Sequence, residues 1–128
     1  MEAAAIVTIL IVLQTFWFAV EVGKARQKFG VPAPACSGSE GFERAYRVHQ
    51  NSIEQMVLLL PSMWVFATFV NGDIAAALGV VYLIGRQLYR SAYVAEPRSR
   101  STGFAIGALS LAVLALGGLA GAAVRLVG

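Results

Sequence analysis

Apolar residues in this chain gather into blocks instead of marking one face of each segment. The blocks cover residues 3–20, 56–70, 74–85 and 103–124, and a short polar segment adjoins each of them. A helix needs about twenty residues to cross a hydrocarbon layer. The middle two blocks fall short of that length, so polar residues next to them must also lie at membrane depth. The pattern predicts four helices, over about residues 2–28, 41–70, 74–95 and 102–125. Together they form an all-α integral membrane protein, a four-transmembrane-helix antiparallel bundle made of one domain, 1–128. Gly30 is expected to stop the first helix, and the Pro- and Ser-containing stretch after it reads as an extended loop, either a lid or a plain connector. Pro61 should bend the second helix, and residues 71–73 only turn the chain. Pairs at the small-xxx-small spacing, Gly103 with Gly107 and Gly117 with Gly121, would let the last helix approach its neighbours closely. Thr8, Gln14 and Thr15 are the polar groups of the first helix at depth, where interhelical hydrogen bonds are expected.

Composition agrees with this reading. The chain has 128 residues, of which 58% are hydrophobic and 13% charged, and its mean hydropathy is +0.70. A soluble domain of this size has too little interior to hide so much apolar surface. A net charge of +3 would suit an anionic polymer, but the placement of the charge points to topology instead, and no nucleic-acid partner is expected. Every basic residue except Arg125 flanks the first or the third connection. The positive-inside rule then puts both of those connections in the cytoplasm and both termini outside it. The first helix lacks a basic n-region and a cleavage site, so it is expected to stay in the mature protein. Cys36 is the single cysteine and reads as a free loop thiol.

The chemistry is concentrated in residues 42–54, where charges run directly into an apolar segment. Ionisable groups at membrane depth are costly unless they face a bundle interior or a wet cavity, which marks them as candidate functional groups. Arg47, Asn51 and Glu54 follow one another at spacings of four and three, with Glu43 one turn earlier, so they share a helix face. On the third helix Tyr82, Arg86, Tyr89 and Tyr93 repeat in the same way. Arg26, with Arg98 or Arg100, completes a ring of donors at one membrane side. Arginine forks outnumbering acids suit a small ligand that carries carboxylates and an ammonium group. The same stripe also fits a packing network in which Glu54 pairs with Arg47 or Arg86. Glu43, Arg44 and His49 are assigned to the interface or to packing, and Tyr46 to an aromatic belt. One histidine and one distant cysteine make no metal site, and no phosphate loop or Ser/His/Asp set is present.

The run Phe-Glu-Arg-Ala-Tyr-Arg-Val-His-Gln-Asn-Ser-Ile-Glu closely resembles the signature of the membrane-associated proteins in eicosanoid and glutathione metabolism, nearest to the leukotriene C4 synthases and microsomal glutathione transferases. The resemblance also takes in Ala25, Arg26 and Phe29, Val-Tyr-Leu-Ile-Gly-Arg in the third helix, and Tyr89 and Tyr93. It departs from the leukotriene synthase pattern at Gln27, His49 and Gln55. What it implies is a homotrimer with one glutathione per subunit interface, in a crevice facing the cytoplasm. Arg26 and Arg47 would hold glutathione carboxylates, Asn51 and Glu54 its polar backbone or amino end, and Tyr89 and Tyr93 would line the site, with Arg86 beside them. Arg100 would stabilise the thiolate. A free thiol has a pKa near about 8.5, so a guanidinium that lowers it by about two units makes the thiolate the main species at neutral pH. The implied activity is a glutathione transferase, and by extension a glutathione-dependent peroxidase. A lipophilic electrophile or lipid hydroperoxide would reach the thiolate from the membrane lipid. Two alternatives stand beside it, a non-catalytic lipid-binding or scaffold member of the same superfamily and a small transporter subunit.

Overall fold

The computed structural model describes residues 1–96 and 100–128 and contains four helices: α1 (Glu2–Phe29), α2 (Glu40–Phe69), α3 (Gly72–Ala95) and α4 (Ser101–Val127). No strand occurs among the described residues. Local chemistry sets the helix ends. Gly30 adopts the left-handed conformation (φ 65°, ψ 38°) and returns its N–H to the Arg26 carbonyl, closing α1 as glycine most readily does. The Ser39 hydroxyl accepts from the Phe42 N–H at 3.2 Å and opens α2. The Asn71 side chain accepts from the Ile74 N–H at 2.9 Å and opens α3, two residues before the apolar block begins. Only Val70 and Asn71 separate α2 from α3, so the two helices run antiparallel. Pro61 lies inside α2 on its exposed side, where the carbonyl that its missing N–H leaves free is least confined.

Three helices, α1, α2 and α4, are long and apolar enough to cross a membrane. α3 misses that standard because Arg86, Gln87 and Arg90 occupy its second half. Its 24 residues still extend about 36 Å, and it packs against all three other helices. The main core joins Ala4, Val7 and Ile11 of α1, Leu59 and Met63 of α2, Ala75 and Tyr82 of α3, and Leu114 of α4. Backbones come closest between α3 and α4. A methyl group built at Gly103 would lie 2.3 Å from the Tyr89 nitrogen, and one at Gly85 would lie 2.9 Å from the Gly107 nitrogen. Those glycines let the end of α3, with its tyrosines, rest on the start of α4.

Polar groups at depth find partners between helices, as expected for Thr8 and Gln14. Trp64 Nε1 donates to Thr8 Oγ1 at 2.9 Å, and Gln14 Nε2 donates to the Leu83 carbonyl at 2.9 Å. Thr15 differs from the expectation. Its hydroxyl donates to the Ile11 carbonyl one turn back, 3.0 Å away, and reaches no other helix.

A polar crevice at one end of the bundle

The polar end of α2 has cavities on two of its faces, and one of them is about 550 Å3 in volume. Arg47, Asn51 and Glu54 of α2, Tyr89 and Tyr93 of α3, and Arg100 at the start of α4 all line it. The volume suits a small molecule. A second cavity of about 440 Å3 shares Asn51, Tyr89 and Arg100 with the first and adds Ser101 and Phe104. Polar crevice and ring-lined recess therefore meet at Arg100.

The side chains differ in how firmly they are held. Tyr89 is buried, with its ring centroid 5.5 Å from Tyr93 and 6.2 Å from Phe104. Arg100 lies over the Tyr93 ring, 5.6 Å from its centroid. Asn51 Oδ1 is out of solvent and has no hydrogen-bond partner among the described residues, an acceptor that a ligand N–H would satisfy. Arg47 and Glu54 are exposed in a single chain. Neither forms an ion pair among the described residues, so the packing network in which Glu54 pairs with Arg47 or Arg86 does not form.

Two residues read from the sequence as ligand groups lie away from the crevice wall. Arg86 is 1% exposed, donates from Nη2 to Ser52 Oγ at 2.8 Å and stacks under Tyr89, 4.2 Å from the ring centroid. It supports the tyrosine from behind. Arg26 folds over its own loop, donating to the Ala35 carbonyl at 2.8 Å and the Val31 carbonyl at 3.4 Å, with its guanidinium 4.7 Å from the Phe42 centroid. It fastens the loop between α1 and α2. The alternative donor Arg98 lies outside the described residues.

The crevice also contains residues that the sequence reading placed elsewhere. Glu43, Tyr46 and Gln50 line it, as do Cys36 and Ser37 from the loop. The Cys36 thiol itself donates to the Pro34 carbonyl, 3.6 Å away. Spacing could have found Gln50 and Glu43, which share a face with Arg47 and Glu54. Nothing local foretells that the loop folds back over α2. Arg44 takes a different role, donating from Nη1 to the carbonyls of Val94 and Ala95 at 3.0 and 3.2 Å and capping the end of α3. His49 does not line the crevice. Among the described residues no three His, Cys, Asp or Glu side chains gather as a metal set.

A helical membrane bundle with a charged crevice at one end of its α2–α3 pair defines the general class. The chain belongs to the MAPEG family, whose model matches residues 4–120, and it is an integral membrane protein. It is 42% identical to human microsomal glutathione S-transferase 2 over 92% of this chain and 78% of that protein. It is 38% identical to bovine leukotriene C4 synthase over 75% of this chain and 64% of the relative. An uncharacterized protein of Synechocystis is 43% identical over 90% of this chain and 84% of its own length.

Proposed function

We infer that this chain is a membrane-bound glutathione transferase that binds glutathione in the crevice between α2, α3 and the start of α4 and presents it as the thiolate. The convergence of Arg47, Asn51, Glu54, Tyr89, Tyr93 and Arg100 on one cavity carries this reading. Glutathione brings two carboxylates, one ammonium group, two amides and a thiol. Arg47 suits a carboxylate, which its fork binds bidentately. Glu54 suits the ammonium group, and the orphan Asn51 Oδ1 an amide N–H. Arg100, where the polar crevice meets the recess with Phe104, suits the sulfur. An electrophile entering that recess from the bilayer would meet the thiolate without crossing the polar crevice. The thiolate sulfur attacks an electrophilic carbon to form the thioether, as the bond from that carbon to a leaving group such as halide, or to an epoxide oxygen, breaks and takes the electron pair. With a lipid hydroperoxide the sulfur would instead attack the terminal oxygen, breaking the O–O bond to release the lipid alcohol and leave glutathione sulfenic acid, which a second glutathione would convert to glutathione disulfide and water.

The family resemblance implies a homotrimer, and charge supports its placing of the ligand between subunits. The crevice of one chain holds Arg47 and Arg100 against Glu43 and Glu54, formally neutral, whereas glutathione with an ionised thiol carries two net negative charges. An added cation from a neighbouring copy would meet that excess, and Arg26, half-buried at the adjacent end of α1, is the candidate. Such a neighbour would also cover Arg47 and Glu54, which stand exposed in one chain. The basic connections support a topology in which this end of a single four-helix domain faces the cytoplasm and both termini lie on the far side of a bacterial inner membrane.

The test is glutathione titration of detergent-purified protein, following the ultraviolet absorbance of the thiolate, together with conjugation of a hydrophobic aryl halide. Saturable thiolate formation and turnover are expected. Absence of both would overturn the reading in favour of a non-catalytic member, and a detergent-corrected monomer mass after mild extraction would overturn the trimer.

A further inference from the structure

The face of α2 opposite the crevice opens into a separate cavity of about 420 Å3, between the C-terminal ends of α1 and α3. It shares no lining residue with the glutathione crevice. Its wall is basic, with Lys24, Lys28, Arg44 and Arg90 against Glu21. We propose that this cavity binds the phosphate of an anionic phospholipid, with Lys24 and Lys28 as its ligands and the flanking apolar wall against the start of an acyl chain.

The assignment follows from which charges are already engaged. Arg90 is spent on Glu21, donating from Nε to Oε1 at 3.1 Å and from its Nη2 to the second oxygen. Arg44 holds Glu40 and the end of α3. Lys24 and Lys28 form no ion pair among the described residues. Each ammonium group instead lies over a ring, Lys24 4.6 Å from Trp17 and Lys28 5.3 Å from Phe29. Two uncompensated cations thus stand at one concave opening.

The positive-inside tendency accounts for the sign of charge at this end of the bundle but not for its gathering around a cavity. Helix dipoles favour cations at the C-terminal ends of α1 and α3, yet Arg44 sits near the start of α2, where an anion is favoured. A soluble anion would use only the lysines. The exposed Phe29 and Val94 in the same wall, with Trp17 two turns deeper than Lys24, place the opening at the depth where head groups meet acyl chains. Basic recesses between membrane helices at that depth suit lipid phosphates.

The experiment uses the full chain in phosphatidylcholine nanodiscs, with increasing phosphatidylglycerol and the thermal unfolding midpoint as readout. Ligand that binds the folded state raises that midpoint. A saturable rise is expected with phosphatidylglycerol. At about five-fold per charge, the double variant Lys24→Gln/Lys28→Gln should need about thirty-fold more of it. Lys24→Arg/Lys28→Arg should titrate like the parent. Both lysines are exposed, so neither change threatens folding. Arg125→Gln, at the other end of the bundle, controls for loss of charge alone and should also match the parent. A parent-like titration of the double glutamine variant, or an equal loss in Arg125→Gln, would overturn the site. A rise of the same size from inorganic phosphate in lipid-neutral discs would overturn the lipid assignment. None of these outcomes depends on glutathione binding.

Discussion

Replacing Arg100 by alanine tests the proposed chemistry most directly, because Arg100 is the cation shared by the polar crevice and the recess with Phe104. A thiolate about 4 Å from the guanidinium gains about 4 kcal/mol at an effective dielectric near 20. Arg100 is exposed at the bundle end, so solvent screening takes that to about 2 kcal/mol. That corresponds to about 1.5 pKa units and moves the bound thiol from about 8.5 to about 7. At pH 7 about half of the bound glutathione is then thiolate, against about 3% without the arginine. The bound pKa is depressed, so the thiolate is present above it and is lost as pH falls through it. In Arg100→Ala that loss should come about 1.5 pH units higher, and kcat/KM at pH 7 should fall about fifteen-fold, with most of the rate recovered in alkali. Thiolate absorbance against pH, read with saturating glutathione, separates this from weaker binding. An unchanged midpoint in Arg100→Ala, with full thiolate at pH 7, would refute Arg100 as the source of the shift.

Glu54→Gln removes the carboxylate assigned to the ammonium group and should weaken glutathione binding by about ten-fold, a loss typical of one charge-assisted hydrogen bond. Equilibrium dialysis reads this, and desamino-glutathione should bind the variant and the parent equally. Gly103→Ala gains helix propensity of about 1 kcal/mol but sets a methyl group 2.3 Å from the Tyr89 nitrogen. The overpacking cost of about 1–3 kcal/mol should win, lowering the thermal midpoint in detergent. Trp64→Phe deletes the Trp64–Thr8 hydrogen bond and should cost about 0.6 kcal/mol or somewhat more in a bilayer, measured by unfolding in mixed micelles.

The helices were legible because their chemistry is local. Apolar blocks, a stopping glycine and short polar turns located all four to within two residues, and the caps at Ser39 and Asn71 account for the earlier starts of α2 and α3. The α2 stripe was equally legible, since Arg47, Asn51 and Glu54 share a face wherever that helix packs. Arg86 was not. Its spacing places it with Tyr82 and Tyr89, but its burial depends on Ser52 arriving opposite from another helix. Tyr46 and Cys36 were missed for a related reason, because the loop that brings Cys36 over α2 is tied down by Arg26 to carbonyls of Val31 and Ala35. Backbone acceptors of that kind leave no mark on composition.

Arg26 and Arg86 also show how the arginines divide their work. A guanidinium has five donors, more than one carboxylate can use, and at a membrane interface a buried fork must satisfy them locally. Arg86 meets only part of that demand, with Ser52 and the face of Tyr89, and its buried Nε has no partner among the described residues; those two contacts still make it a support for the crevice wall. Arg44 uses the carbonyls of Val94 and Ala95 at the end of α3 and the carboxylate of Glu40, while its Nε has no partner among the described residues. Arg47 and Arg100, both exposed, are the forks oriented into the cavity. The bundle therefore fixes one set of cations to hold α2, α3 and the loop in register, and that register sets the opening between Arg47 and Arg100. Changing a fastening arginine should alter glutathione affinity and thermal stability together, whereas changing Arg100 should move the thiolate midpoint while leaving stability in place.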